Sequence, residues 1–535
     1  MKKYMKYASV LALATVLLTG CDDFLDTMPD NRATLDSEEK IKAMLTSSYN
    51  ENDYIVVAEL SSDNTDDIGA NNPYTTRFYD QCYGWIDETE KDNESLENFW
   101  SGAYIAIASA NEALAAIDKA TPSAIIDECR GEALISRAYN HFMLACMFCK
   151  PWTQNAAADL GLPYMEAAET ELMPKYERGN LADFYKKIEA DIEEGLKYIG
   201  DSHYSVPKYH FNVKAAYAFA ARYYLYTEQW EKAVTYATKC LGSQPSTMLR
   251  DWKSIAAMTQ SLSAVSNEYI NASSNANLLM LTAYSSMGVI WSSWSLRSGG
   301  CKRYSHCKYI ADNEDMRARN IYGTYSQLWH QPKVYQGSGL DRTIFWKYDN
   351  LFEYTDPVAQ TGYRRAVYPA FTSDEALLNR AEAYIMLKRF DEAAADLTTW
   401  MHNFTKSTKT LTPDNIQEFY KPIGYCYDKD PEDDTDNGLR STIKKHLNPA
   451  FAIDAEGSVQ ECMLQCMLSF RRLETMHAGI RWFDIKRYGI EIVRRTLNAA
   501  GQPETRTDFL SKDDPRRAHQ IPLKVRDAGF EANPR

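Results

Sequence analysis

Past position 20 the sequence has no apolar run long enough to cross a membrane, which takes about 20 residues; hydrophobic residues make up an ordinary 45%. It also lacks an excess of positive charge. Against 73 acidic side chains stand 59 basic ones, for a formal charge of −14. A net-acidic surface argues against nucleic acid as a ligand and against adsorption to anionic lipid. Catalytic signatures are missing as well: no His-Glu-x-x-His, no Gly-x-Ser-x-Gly and no Walker loop occurs. Gly337-Ser338-Gly339 reads only as a turn, and a glycosidase carboxylate pair cannot be picked from so many acids by spacing. These absences favour binding over catalysis, with no cofactor and no metal expected.

Two acidic stretches begin like calcium loops and then fail. After Asp63-Asn64-Thr65-Asp66-Asp67, Ile68 stands where the turn Gly belongs and Tyr74 where the bidentate Glu belongs. Asp433-Asp434-Thr435-Asp436-Asn437-Gly438 has the Gly but ends on Lys444. Both read as solvated acidic loops, a loose calcium site being the alternative.

What is present first is a leader. Lys2, Lys3 and Lys6 precede an apolar run from Tyr7 to about Leu18, the pattern of a secretory signal over residues 1–20. It ends in Leu18-Thr19-Gly20-Cys21, which resembles a bacterial lipobox. The resemblance implies that Cys21 becomes the first mature residue, is acylated, and holds the chain on a membrane. Asp22, Asp23 and Asp26 follow in a polar tether expected to run to about residue 45. Acids at that place resemble the surface-export signal of lipoproteins in bacteria with SusC/SusD-type uptake systems; in other bacteria they resemble an inner-membrane retention signal.

Of 11 cysteines, the ten besides Cys21 fall largely inside helical patterns, and a chain this long needs no covalent staples. They read as buried free thiols. Cys146-Met147-Phe148-Cys149 has redox spacing but lies in an apolar helix; Cys462 and Cys466 with His477 make only a remote zinc motif.

Residues 46–535 read as one domain. Helices are expected from Phe99 to about Ile117, from Glu132 to Phe148 and from Leu181 to Ile199. Tyr217, Ala221, Tyr224, Trp230, Ala233 and Pro245 then fall at tetratricopeptide offsets, and Leu377, Ala381, Tyr384, Phe390, Ala393 and Leu397 repeat them. Small residues at such positions let two antiparallel helices approach. Because the two units are far apart, the chain reads as a mostly α, tetratricopeptide-like scaffold (about 99–241 and 374–400, plus 461–495) interrupted by a long irregular, aromatic-rich insertion (about 242–372). A second irregular stretch covers about 403–457. Long irregular segments in compact domains are commonly functional.

The last expected helix, Glu461 to about Arg495, contains Arg471-Arg472-Leu473-Glu474 and Gly479-Ile480-Arg481-Trp482-Phe483-Asp484-Ile485-Lys486-Arg487-Tyr488-Gly489. This segment resembles the signature of the SusD/RagB family: Glu474, Gly479, Arg481, Asp484, Arg487 and Gly489 match, whereas Thr475, Ala478 and Tyr488 depart. Arg481 and Asp484, three apart, are expected to pair on one helix face. The resemblance implies an outer-membrane, surface-exposed lipoprotein that is not an enzyme. Such a protein captures an oligomeric nutrient, a glycan or, in the RagB branch, a peptide, and passes it to a SusC-type TonB-dependent transporter. A surface glycoside hydrolase and a periplasmic helical-repeat scaffold are the readings from other classes. For the ligand face, Trp291 and Trp294 in the Ser/Gly-rich segment are the leading aromatic platform, followed by Tyr74, Trp85, Tyr304 and Trp329, because a flat ring suits the apolar face of a pyranose.

Overall fold

A computed structural model describes residues 35–69, 72, 74–168, 175–292, 302–337, 340–428 and 438–535. The N-terminal quarter is helical: α1 (Glu38–Leu45), α2 (Ile55–Ser61), α3 (Arg77–Tyr83), α4 (Leu96–Ile117) and α5 (Ala124–Phe148), followed by α6 (Leu181–Tyr198). α1 occupies the end of the stretch expected as tether. Ile41 and Leu45 are buried against α4 and α5, which takes 38–45 out of the solvated linker.

The long helices start at side-chain caps. Ser95, Ser123 and Asn180 each accept the backbone N–H three residues on, satisfying one of the donors a helix start leaves open. The Ser123 cap starts α5 eight residues before the expected Glu132. From Gly131 to Phe148, α5 is buried on nearly every side, which is why its sequence carries little amphipathic signal. Gly131 permits its close packing on the end of α6: a Cβ there would sit 2.5 Å from Ile199 N.

The two tetratricopeptide-like units are helical hairpins, α7 (Val213–Tyr226) with α8 (Trp230–Leu241), and, after the insertion, α13 (Ser373–Met386) with α14 (Phe390–Phe404). They turn the corner in the same way, on a non-glycine residue in the left-handed region: Glu228 (φ 61°) and Lys388 (φ 59°). Though distant in sequence, the hairpins stack side by side, α8 on α13. A bidentate pair from Arg222 to Glu375 (2.7 and 2.5 Å) joins α7 to α13, with the guanidinium 4.0 Å from the Phe371 ring centroid.

The intervening residues are more regular than the composition suggests. They hold α9 (Trp252–Ala257), α10 (Leu262–Tyr269), α11 (Met287–Ser292) and α12 (Lys308–Asn313). Strands β2 (Asn277–Tyr284), β7 (Thr361–Thr372) and β6 (Leu351–Asp356) form an antiparallel sheet in the order β2-β7-β6. β4 (Lys333–Gly337) pairs with β5 (Leu340–Ile344) as a hairpin. β2 is buried at six of its eight positions, and that removes the alternation by which a strand is read. Farther on, α15 (Pro413–Tyr420), opened by a Thr412–Asn415 capping box, interrupts the second stretch expected to be irregular; Asp430 to Asp436 lie outside the described residues.

The expected last helix is three elements. α16 (Val459–Glu474) stops, Gly479 (φ 75°) turns the chain, α17 (Ile480–Arg487) follows, and residues from Ile492 enter strand β8 (Ile492–Leu497). β8 lies between β1 (Asp66–Asp67) and β9 (Pro503–Leu510), and β3 (Tyr304–Ser305) completes the sheet order β3-β1-β8-β9; α18 (Leu523–Asp527) comes last.

The pairing expected between Arg481 and Asp484 is corrected: both lie on α17, but each is taken by a partner from another element. Arg481 donates to both oxygens of Asp63 at 2.8 Å, while Asp484 accepts from Arg471 at 2.9 and 2.6 Å. Arg487 reaches Glu382 of α13 at 2.6 Å. The stretch Asp63–Asp67, expected as a solvated acidic loop, is buried at every residue. Arg472 holds Asn64 Oδ1 and the Asp63 carbonyl (both 2.8 Å), Arg495 holds Asp66 (2.9 Å) and Glu314 (2.9 Å), and Lys445 holds Glu314 (2.7 Å). Burial opposes ionisation of Asp63, but Arg472, Arg481 and Lys445 around it hold its carboxyl well below the ordinary range. Among the described residues, nine cysteines are buried free thiols.

Two stability predictions follow from burial. Removing one partner of a buried pair strands the other, at about 3–5 kcal/mol, so Asp63→Ala should lower the unfolding free energy by that amount in a denaturant titration. Burial also pushes His141 and His519 down from 6.5 to about 3. Between those values the unfolded chain binds more protons than the folded one, so stability rises with pH and is lost as pH falls through the window, by about 1.4 kcal/mol per pH unit per histidine. Melting temperatures recorded from pH 7 to 4.5 should fall, and less steeply in His141→Gln.

Candidate functional site

At the edge of the four-stranded sheet, three segments meet: β1 with the turn after it, α3, and β3. Asp67 turns its carboxylate back to accept Gly69 N–H (2.7 Å), then takes a bidentate bond from Arg303 Nε and Nη2, both 2.7 Å. The Arg303 backbone N–H donates to the Tyr74 carbonyl at 2.9 Å, and Tyr74 N–H donates to Asn72 Oδ1 at 3.0 Å. Tyr74 is therefore anchored on both sides of its Cα while the residue remains 58% exposed. Its ring is the open apolar surface here. Asp80 of α3 accepts from Tyr304 Oη (2.7 Å) and Thr75 Oγ1 (2.9 Å). Burial, then the carboxylate it donates to, pushes the Tyr304 phenol up, which keeps it a donor.

Behind Tyr74 the rings are packed. Tyr304 stacks on Tyr83 with centroids 4.2 Å apart, and the Arg494 guanidinium lies 4.0 Å from the Tyr83 ring and 4.1 Å from that of Trp85. Trp85 donates Nε1–H to the Ser61 carbonyl at 2.9 Å. Deeper still, Trp291 stacks on His477 (4.7 Å, 11° between planes), and His477 meets His306, the residue two beyond Tyr304, edge-on at 5.6 Å.

The expectation of open rings at Trp291, Tyr304 and Trp85 is thus corrected: all three are buried. The Ser/Gly-rich sequence around Trp291 signalled exposure, but α11 turns that residue inward. Trp85 and Tyr304 are packed in the interior around Tyr83 and Arg494 and offer no open platform. Trp329 is half-buried elsewhere, its ring 5.7 and 5.8 Å from the ammonium groups of Lys253 and Lys406. Trp294 and Cys21 lie outside the described residues.

Sequence reasoning missed the polar rim, Asp67, Asp80 and Arg303, whose roles depend on contacts across more than two hundred residues. It also missed Phe352, Tyr354 and Tyr363, exposed aromatics on the β6–β7 hairpin; their alternation with polar residues was the available signal. A separate, largely apolar groove of about 480 Å³ runs between α4 and the α18 segment, lined by Trp100, Tyr104, Met165, Tyr176, Val525 and Phe530. Chemically, the Tyr74 face offers one fixed ring among a guanidinium, carboxylates and amides, a set that hydrogen-bonds polyols. Its two carboxylates are already occupied by donors. Among the described residues, no group of three or more His, Cys, Asp or Glu is placed to hold a metal ion.

Residues 23–225 match the SusD-like_3 family model, described as starch-binding and associating with the outer membrane. Along nearly its whole length the chain superimposes on a SusD superfamily protein from Bacteroides thetaiotaomicron (17% identity, 93% of this chain and 100% of that one, TM-score 0.61). Over residues 23–225 the chain is thus similar to the SusD-like family, and along its length it has the SusD fold. Other SusD-like structures have the same fold: a SusD-like carbohydrate binding protein from Bacteroides vulgatus (16% identity, 92% and 96% covered, TM-score 0.58) and one from Bacteroides fragilis (14%, 92% and 98%, 0.56). No curated protein matches the sequence. Among the described residues, no helix is long and apolar enough to cross a membrane.

Two substitutions separate platform from core. Trp291→Ala should cost about 3–5 kcal/mol of stability, as for a buried large aromatic, whereas Tyr74→Ala should leave the melting temperature within about a degree, exposed substitutions being within ±0.5 kcal/mol. Paired thermal melts check both.

Proposed function

We propose that this SusD-like chain is a surface lipoprotein that binds an oligosaccharide at the Tyr74 face and delivers it to a SusC-type TonB-dependent transporter. The observation that carries the reading is the exposed Tyr74 residue, its carbonyl bonded by the backbone of Arg303, whose guanidinium pairs with Asp67. Structures of the same fold described as carbohydrate binding support it. Anchoring is assigned to an acylated Cys21, with residues 1–20 removed, on the strength of Leu18-Thr19-Gly20-Cys21. The chain binds without chemical turnover, a reading supported by Asp67 and Asp80 at this face both being engaged as acceptors.

The affinity follows from the ring. Covering roughly 50 Å² of sugar at ~25 cal/mol/Å² contributes about 1.3 kcal/mol, close to a factor of ten in affinity. One such ring with a few hydrogen bonds gives weak binding alone; tight capture comes when the transporter closes on the same ligand from the other side.

Isothermal calorimetry against a panel of soluble oligosaccharides and peptides tests the reading. At least one oligosaccharide should bind with micromolar-to-millimolar affinity, fall about tenfold in Tyr74→Ala, and be recovered intact after long incubation. Binding confined to peptides would replace the glycan with the alternative ligand class, and shortened products in stoichiometric excess would make the protein an enzyme. Labelling of cells with a fatty-acid analogue should mark the native chain and not Cys21→Ala.

A further inference from the structure

The buried charge cluster holds one contact that ion pairing does not require. Lys445 Nζ lies 3.1 Å from Cys426 Sγ, short for nitrogen against sulfur, and both residues are buried. The two segments that carry them are laced together: Cys426 N–H donates to the Lys444 carbonyl and Tyr427 N–H to the Arg440 carbonyl, each at 2.8 Å. The thiol donates to the Arg440 carbonyl at 3.3 Å, which points its sulfur lone pairs elsewhere. Glu314 Oε2, 2.7 Å from Nζ, is placed to take a proton from the amine. Other cysteine sulfurs with polar side-chain neighbours meet different chemistry: Cys307 an Asp66 carboxylate, Cys462 that of Glu461, and Cys129 the His203 imidazole.

We infer that Lys445 and Cys426 form a redox-sensitive covalent bridge in which one oxygen atom joins Nζ to Sγ, made when dioxygen oxidises the pair. The step balances. The ammonium gives up two hydrogens and the thiol one; dioxygen supplies two oxygen atoms. One becomes the bridge, with new N–O and O–S bonds. The other leaves as water carrying two of the hydrogens, and the third departs as a proton through Glu314. Nitrogen and sulfur each lose two electrons and dioxygen gains four. Cysteine is the natural site for such chemistry because its sulfur is readily oxidised and its oxidised forms are captured by a neighbouring nucleophile. A thiol with an amine in contact has the amine as that neighbour.

Geometry favours the inserted oxygen over a direct sulfur–nitrogen bond. An oxygen fills a gap of 3.1 Å with little movement, whereas a direct bond would drag Lys445 away from Glu314. Loss of the Lys445 charge is tolerable there, since Glu314 keeps Arg472 (3.3 Å) and Arg495 (2.9 Å) and Asp63 keeps Arg481. The bridge would join positions 426 and 445 covalently, beside the Lys445–Glu314 pair.

Intact-mass spectrometry of the whole mature chain tests the inference, comparing protein purified in air with protein kept under argon and reductant. The aerated protein should be heavier by one oxygen less two hydrogens, revert with dithiothreitol, and yield a cross-linked peptide pair containing Cys426 and Lys445. Denatured but unreduced, Cys426 should resist alkylation; after reduction it should label. Cys426→Ser and Lys445→Arg should each abolish the mass shift, and the wild-type peptide map decides the matter even where a variant folds poorly. An aerated mass equal to the reduced one overturns the proposal. So does gain of a whole oxygen on Cys426 alone, or loss of two hydrogens without oxygen, which would be a direct sulfur–nitrogen bond.

Discussion

Asp63 is the group on which the rest of the architecture turns. It is a carboxylate removed from water, and ionisation there is tenable only because Arg481, Arg472 and Lys445 converge on it from three later parts of the chain. Buried ion pairs contribute little net stability relative to apolar packing, but breaking one is expensive. Their effect here is to fix position. With Arg495 clamping Asp66 and Glu314, and Arg494 capping the carbonyls of Leu60 and Ser62 at the end of α2 (2.7 and 2.9 Å), β1 is set beside β8. That placement carries Asp67 to Arg303 and so positions Tyr74.

The same device, a buried cation meeting backbone or carboxylate, recurs where helices end. Lys486 of α17 donates to the Cys146 and Cys149 carbonyls (2.6 and 2.7 Å) at the end of α5. Lys347, from the insertion, donates to the Glu474 and Met476 carbonyls (2.5 and 3.0 Å) at the end of α16. Terminal carbonyls have no partner within their own helix and carry the negative end of its dipole. Desolvation presses Lys347 down to about 7 and Lys486 to about 8, a cost borne because each lysine ties two distant segments and satisfies two buried acceptors at once.

For function, the consequence is an ordered gradient from core to surface. Trp291, His477 and His306 pack together, as do Tyr304 and Tyr83, all away from solvent, while Tyr74 meets solvent. Its backbone is bonded on both sides, so that part of the segment loses little conformational freedom on binding. The exposed aromatics of the β6–β7 hairpin lie on a different element and keep their own, separate surface.

By itself the sequence determined the acidic balance, the two helical hairpins and the burial of most of the thiols. These depend on local spacing, caps and periodicity, all of which act within a few turns of chain. It also carried the signature Gly479-Ile480-Arg481 to Gly489, though not its meaning: spacing suggested Arg481 with Asp484, while the partner is 418 positions away. Strand β2 escaped notice because burial on both faces erases alternation, and the break after α16 escaped because the left-handed turn at Gly479 is set by Tyr54, Ala58 and Glu59 packed against it. Which aromatic faces solvent was likewise a tertiary decision. Trp291 and Tyr74 both sit in polar, loop-like sequence, and only the closure of α11 over His477 buries one, while the Arg303 and Asn72 bonds hold the other open, because exposure is a property of neighbours brought from elsewhere in the chain and not of a residue's own surroundings in sequence.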